Sequence, residues 1–164
     1  MTLAELNRLP RYRAEEEFLK CCGSRAWART MARRRPFTNF DRLLQAAAEI
    51  WWHLDATDWT EAFRAHPRIG EQQHVPGPAA WSAQEQSGMN RAPAATATAI
   101  EQANQEYLAK FGFIFIICAS GKTAQEMLAN LQSRLGNARE EEIRLAAEEQ
   151  NKITLLRLKK LLPL

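Results

Sequence analysis

Phe113-Ile114-Phe115-Ile116-Ile117-Cys118-Ala119 is the one run in this 164-residue chain with the texture of a β-strand. Aromatic and β-branched residues favour strands. A short unbroken apolar run is, however, equally consistent with buried extended chain or a short helical segment. Its neighbours are helical. Upstream, Ala92 to Lys110 reads as a long helix that tolerates Pro93 in its first turn and ends at Gly112. Downstream, Thr123 and Glu126 form a capping box. They open a helix with Met127, Leu128, Leu131 and Leu135 inward, closed by Gly136-Asn137. A last helix runs to about Leu162.

Further out, the pattern stays helical. Leu3, Leu6 and Leu9 precede a break at Pro10. Phe18 and Leu19 lie on a second helix ending near Cys22-Gly23, and Ser24 caps a third that carries Trp27 and Met31. Asn39 or Asp41 starts a helix through Leu43, Leu44, Ala47 and Trp51. Asp58 reads as the next N-cap, with Glu61 three residues on, in a helix that reaches His66. Gly70 to Ala80, with Pro76, Gly77 and Pro78, reads as a loop. Ser82, with Glu85 three residues later, reads as another helix start. The expectation is all-α: a single-domain bundle of about eight helices over residues 1–164.

Composition agrees. The hydrophobic fraction is 46% and the charged fraction 25%, as in ordinary globular chains. A net charge of +3 does not by itself argue for nucleic acid or membrane. Cys21, Cys22 and Cys118 make an odd count, two of them adjacent, and no secretory pattern opens the chain. Reduced thiols in a cytoplasmic compartment are expected. The longest apolar stretch is too short to span a bilayer.

Three places can carry chemistry. His66 lies between the Trp59–Ala65 segment and Pro67, which disfavours helical backbone at the residue before it, and Gly70 permits a further turn. At a helix C-terminus the dipole favours imidazolium, and so an acid able to deliver a proton. Ser82-Ala83-Gln84-Glu85-Gln86 reads plainly as a capping box. It reads functionally as a polar helix N-terminus whose N–H groups receive an anion or carbonyl oxygen. Arg157 continues an inward stripe of Ile143, Ala146, Gln150 and Ile153, where a guanidinium needs a partner such as a carboxylate.

Other signals are weaker. Arg33-Arg34-Arg35 is read as a solvated helix end rather than a nucleic-acid patch. Gly121-Lys122-Thr123 lacks the first glycine of a phosphate loop, because position 116 is Ile. His53, His66, His74 and Glu71 match no standard zinc spacing. No Gly-x-Ser-x-Gly or cysteine nucleophile motif is present.

Together these residues resemble the OHCU decarboxylases of uric acid degradation, where OHCU is 2-oxo-4-hydroxy-4-carboxy-5-ureidoimidazoline. The matching pieces are His66-Pro67-Arg68-Ile69-Gly70, Trp81-Ser82-x-x-Glu85-Gln86-x-Gly88 and Tyr107-x-x-x-Phe111-Gly112-Phe113-x-Phe115-Ile116-x-Cys118. Arg134-x-x-Asn137, the glutamates after it, and Ile153 with Arg157-Leu158 follow in order. Arg35-Pro36-Phe37 resembles an N-terminal family feature. Ile114 departs from the proline that many relatives carry there.

The resemblance implies an all-helical, cofactor-free enzyme that converts OHCU to (S)-allantoin with loss of CO2. It implies His66 as catalytic acid, and Ser82, Ala83, Gln84, Glu85 and Gln86 around the substrate, with Glu85 holding or deprotonating the 4-hydroxyl. Pro67 and the backbone of Phe115, Ile116, Ile117, Cys118 and Ala119 line the pocket, and Arg157 binds anionic or carbonyl oxygens. The implied partner is a small-molecule substrate, with no nucleic acid and no membrane; a homodimer is left open. The alternative is a non-catalytic helical module that binds a ureide or acts as a scaffold.

Overall fold

The computed structural model describes residues 1–71 and 78–163. Among them are nine α-helices, one 3-10 helix and no strand. The class is all-α, one helix more than expected. The helices fall into two compact units: residues 1–65 with 151–164, and residues 66–150.

The first unit holds α1 (Leu3–Arg8), α2 (Arg11–Cys21), α3 (Arg25–Arg34), α4 (Phe40–Trp52) and α5 (Ala56–Arg64). It also holds the second half of the terminal helix α9 (Arg139–Leu161). The caps explain the starts. The Ser24 hydroxyl accepts from the Trp27 N–H, and Asn39 accepts from Arg42. Each satisfies a helix amide that has no carbonyl four residues back. α2 packs on α3, and α3 on α4. Phe18 meets Trp27 and Phe37 edge-on, at centroid distances of 5.9 and 6.5 Å. The buried Trp27 indole N–H donates to the Ala47 carbonyl at 3.0 Å, so its one polar atom is satisfied.

Two details depart from the sequence reading. The cap of α5 is Asp55, not Asp58. Asp55 accepts from the Asp58 N–H, which places Asp58 inside the first turn. α5 also stops at Arg64 with Ala65 as its C-cap, so His66 follows the helix rather than ending it. The arginine run behaves largely as expected. Arg33 and Arg34 occupy the last turn of α3. Arg35 goes further and donates to the carbonyls of Leu6 (2.6 Å), Leu9 (2.8 Å) and Ala32 (3.0 Å), which ties α1 to the end of α3.

The second unit holds α6 (Pro78–Glu85), a 3-10 turn over Ser87–Arg91, α7 (Ala94–Phe111), α8 (Ala124–Arg134) and the first half of α9. α7 packs on α8. Gly112 ends α7 in the left-handed region, and the Thr123–Glu126 box opens α8, both as expected. The Phe113–Ala119 run is neither helix nor strand, and all of it except Ile114 is buried.

A buried polar cluster fixes that run. Glu142, fully buried, accepts from the Tyr107 hydroxyl (2.5 Å), from Arg134 Nε (2.6 Å) and from Asn137 Nδ2 (3.1 Å), and it pairs with Arg134 Nη2. Arg134 Nη1 donates to the Ile116 carbonyl at 2.6 Å, and the guanidinium lies 4.5 Å from the Phe115 ring centroid. Removing one partner of a buried ion pair is strongly destabilising, because it leaves the other charge uncompensated. Here those bonds anchor a segment that has no ladder to hold it.

Candidate functional site

The strap after His66 is clasped from several sides. Arg68 and Glu71 close a turn on each other: the Glu71 N–H donates to the Arg68 carbonyl (3.0 Å), and the Arg68 N–H to Glu71 Oε2 (2.9 Å). Gly70 has φ of 86°, a region side chains disfavour. Its N–H donates to Gln86 Oε1 at 3.0 Å. Buried Asn104 on α7 donates to the Ile69 carbonyl, also at 3.0 Å. Pro67 and Ile69 point into the protein and are buried, while Arg68 and Gly70 are exposed. The strap is thus pinned to α7 and to the residue after α6.

His66 itself is half-buried. Its Nε2 lies 2.6 Å from Oε1 of Gln150, a fully buried residue of α9. A carbonyl oxygen only accepts, so a hydrogen bond at this distance requires the tautomer with its proton on Nε2. Sequence reasoning placed Gln150 on the inward stripe but gave it no role. The signal was there: a polar amide at a core position demands a partner.

The Ser82 segment corrects the sequence reading. α6 begins at Pro78, so Ser82 is its fifth residue and no N-cap. The Gln86 N–H completes the helix by donating to the Ser82 carbonyl at 3.0 Å. Neither a capping box nor a helix N-terminus exists at Ser82–Gln86. Of the loop expected over Gly70 to Ala80, residues 72–77, including His74, lie outside the described residues, and 78–80 are helical. Helical spacing instead buries Ser82 and Glu85, which are 5% and 8% exposed, and leaves Ala83 and Gln84 exposed. The inward pair is the Ser and the Glu that the motif singles out.

Within the Phe115–Ala119 run, the charge of Glu85 reaches Cys118. The Cys118 thiol is pushed up, chiefly by burial, then by the charge of Glu149 and, more weakly, of Glu85, with Lys122 opposing. Gly88, just after α6, sits against the turn that follows the run. A Cβ there would collide with the Lys122 carbonyl oxygen. Lys122 Nζ in turn donates to the Cys118 carbonyl at 2.8 Å. Among the described residues, the N–H groups of Phe115 to Ala119 donate no hydrogen bond. A row of buried amides is a donor array for an oxyanion or carbonyl.

A cavity of about 490 Å³ is walled by the outer side of the strap, with Arg68, Gly70, Met89, Glu101 and Asn104 among its lining, but not by His66 or Glu85. Arg157 belongs to the first unit and is 5% exposed on α9, as its stripe predicted. Its positive charge reaches Cys21 and Cys22. Burial dominates there, pushing the Cys22 thiol up to about 12 and raising Cys21 as well. Among the described residues, no three His, Cys, Asp or Glu side chains group as a metal-binding set.

The chain is 42% identical over 155 residues to the uric acid degradation bifunctional protein TTL of Arabidopsis thaliana, covering 90% of this chain and 47% of that protein. It thus spans about half the length of that relative. It is 27% identical to the 2-oxo-4-hydroxy-4-carboxy-5-ureidoimidazoline decarboxylase of Halalkalicoccus jeotgali, over 98% of this chain and 92% of that one. A crystal structure of an OHCU decarboxylase in the presence of (S)-allantoin superposes with a TM-score of 0.79 at 39% identity, covering 89% of this chain and 96% of that one. The family model for OHCU decarboxylase matches residues 7–159, and the chain belongs to that family.

Proposed function

We propose that this protein decarboxylates OHCU to (S)-allantoin in uric acid degradation, in the cytoplasm and without a cofactor. The observation that carries this reading is the inward Ser82–Glu85 pair. Two polar side chains, on the fifth and the last residues of α6, are turned into the protein, where no N-cap duty explains them. They share a unit with His66, the clasped strap and the run of unused amides. The family match over 7–159 crosses both units and supports treating 1–164 as one functional domain.

The chemistry needs no outside electron sink. When the bond from C4 to the carboxylate breaks, its electron pair forms a C4–C5 double bond and displaces the adjacent carbon–nitrogen π pair onto nitrogen. That nitrogen takes up a proton, the 4-hydroxyl loses its proton as C4 becomes a carbonyl, and C5 gains a proton on one face. Net consumption is one proton per CO2 released. In this scheme His66 supplies the proton to C5, and Glu85 holds the 4-hydroxyl and takes its proton. Ser82 and Gln86 orient the ring, Pro67 walls it, and the Phe115–Ala119 amides steady developing negative charge. Arg157, on the resemblance of its motif, binds the anionic or carbonyl oxygens. Ala83 and Gln84, with exposed side chains, are left to contribute through backbone alone.

The test is direct. Purified protein is mixed with freshly made OHCU, and its decay into (S)-allantoin is followed by circular dichroism. His66→Asn is expected to lower the rate by about 10²–10⁴-fold, the usual contribution of a general acid. Equal rates of (S)-allantoin appearance in the two proteins would remove His66 from the chemistry. Ligand binding by the wild type without accelerated CO2 release would make the protein a ureide-binding module.

A further inference from the structure

Gln150 is fully buried, carries a polar amide, and has no part in the scheme above. An amide in the core is costly unless it is paired, and an apolar side chain would fill the same space. The partner it faces is the His66 ring, with Oε1 2.6 Å from Nε2 across 84 positions of sequence. We propose that Gln150 is a positioning residue for the proton donor: its side-chain carbonyl holds the Nε2 proton of His66 and thereby fixes both the tautomer and the plane of the ring. This deepens the decarboxylase reading and rests on it for its catalytic consequence.

The consequence concerns which nitrogen works. A ring whose Nε2 proton is engaged changes its charge at Nδ1. The imidazolium therefore gives its Nδ1 proton to C5 of the substrate, leaves as the neutral Nε2–H ring, and regains a proton from solvent. No other atom is exchanged. The choice of glutamine also has a reason. A carboxylate at this place would bind the imidazolium strongly and resist its deprotonation, whereas a neutral carbonyl orients the ring in both charge states. Metal sites orient a ligating histidine through its second nitrogen in the same way, and losing that partner costs about 10–100-fold.

The experiment pairs a spectroscopic readout with a kinetic one. Nitrogen-15 NMR of histidine-labelled protein, at a pH where the ring is neutral, should show His66 protonated at Nε2. Gln150→Met removes the acceptor and should give a mixture of tautomers. Gln150→Glu restores an acceptor and should restore the single tautomer. In the OHCU assay, Gln150→Met should lower kcat by about 10–100-fold with KM changed no more than about threefold. A wild-type ring protonated at Nδ1 would overturn the proposal. So would a folded Gln150→Met protein with the wild-type tautomer, or a loss expressed in KM alone. If Gln150→Met does not fold, the wild-type and Gln150→Glu spectra still decide. The tautomer readout uses no substrate, so a wild type that shows the Nε2 proton yet does not turn over OHCU would refute the decarboxylase reading and leave the pairing standing.

Discussion

Thr123-Ala-Gln-Glu126 and Ser82-Ala-Gln-Glu85 are nearly the same tetrapeptide, and the fold uses them in opposite ways. At Thr123 the hydroxyl accepts from the Glu126 N–H (3.1 Å), and the Glu126 carboxylate accepts from the Thr123 N–H (3.3 Å). Both residues are exposed, and the pair is a helix cap. At Ser82 the helix is already one turn old, both side chains are buried, and the pair faces the protein interior. A capping box is a local device that works in water. Polar groups kept out of water inside a helix need another purpose. Burial, which the four-residue pattern does not encode, separates the two.

The contrast can be broken most directly at the two ends of this comparison. Glu85→Gln keeps the size of the side chain and removes its charge. We expect OHCU turnover to fall by about 10²–10⁴-fold while the unfolding free energy moves by less than about 1 kcal/mol. Unchanged turnover with a clear loss of stability would return Glu85 to a structural role. Thr123→Ala should do the reverse. It should cost about 1 kcal/mol in urea unfolding and leave turnover alone. A fall in activity without a change in unfolding midpoint would mean that the start of α8 matters to the site beyond its stability.

The same tetrapeptides show what the chain revealed before folding. Caps at Ser24 and Thr123 and the stop at Gly112 were readable, and Asn39 was one of two candidates beside Asp41, because each depends on atoms within a few residues. The start of α6 was misread. Pro78 looked like loop chemistry beside Pro76 and Gly77, yet proline suits the first helical position, where its missing N–H would have had no partner. That error displaced the helix start by four residues and turned an interior Ser–Glu pair into an apparent cap.

Phe113–Ala119 left strand, buried extended chain and short helix open, because nearly all of it is buried and burial on every side erases periodicity. Its carbonyls are held instead by the Arg134 and Lys122 side chains and by the Lys122 N–H, donors that lie after the run and form no ladder. His66 was legible from its proline, whereas Gln150 needed the closed fold to find its ring. The family motifs singled out Ser82 and Glu85, which the fold buries, even where the local reading of them as a cap was wrong.

A third copy of the pattern, Asp58-Trp-Thr-Glu61, gives the smallest and most conditional effect. Asp55 takes the cap, and Glu61 is released to serve another helix: its Oε1 accepts the Arg25 N–H at 2.6 Å, one of the unpaired amides at the start of α3. The Arg25 guanidinium adds a 3.4 Å contact. These bonds, the backbone one first, hold the Glu61 carboxyl below its ordinary value of 4.5. A depressed carboxyl stabilises the fold above its unfolded value, and that contribution is lost as pH falls through the folded one. Because the Glu61 side chain is 32% exposed, solvent screens the pair, and Glu61→Gln should cost no more than about 1 kcal/mol at pH 7. The difference between wild type and variant should shrink steadily below pH 4.5, as the wild-type carboxyl itself becomes neutral. Urea unfolding of both proteins at pH 7 and again near the lowest pH at which they fold measures this. A gap that stays constant would assign the loss to the geometry of the amide contact rather than to charge. Glu61 would then be the same kind of cap as Thr123, supplied from the neighbouring helix.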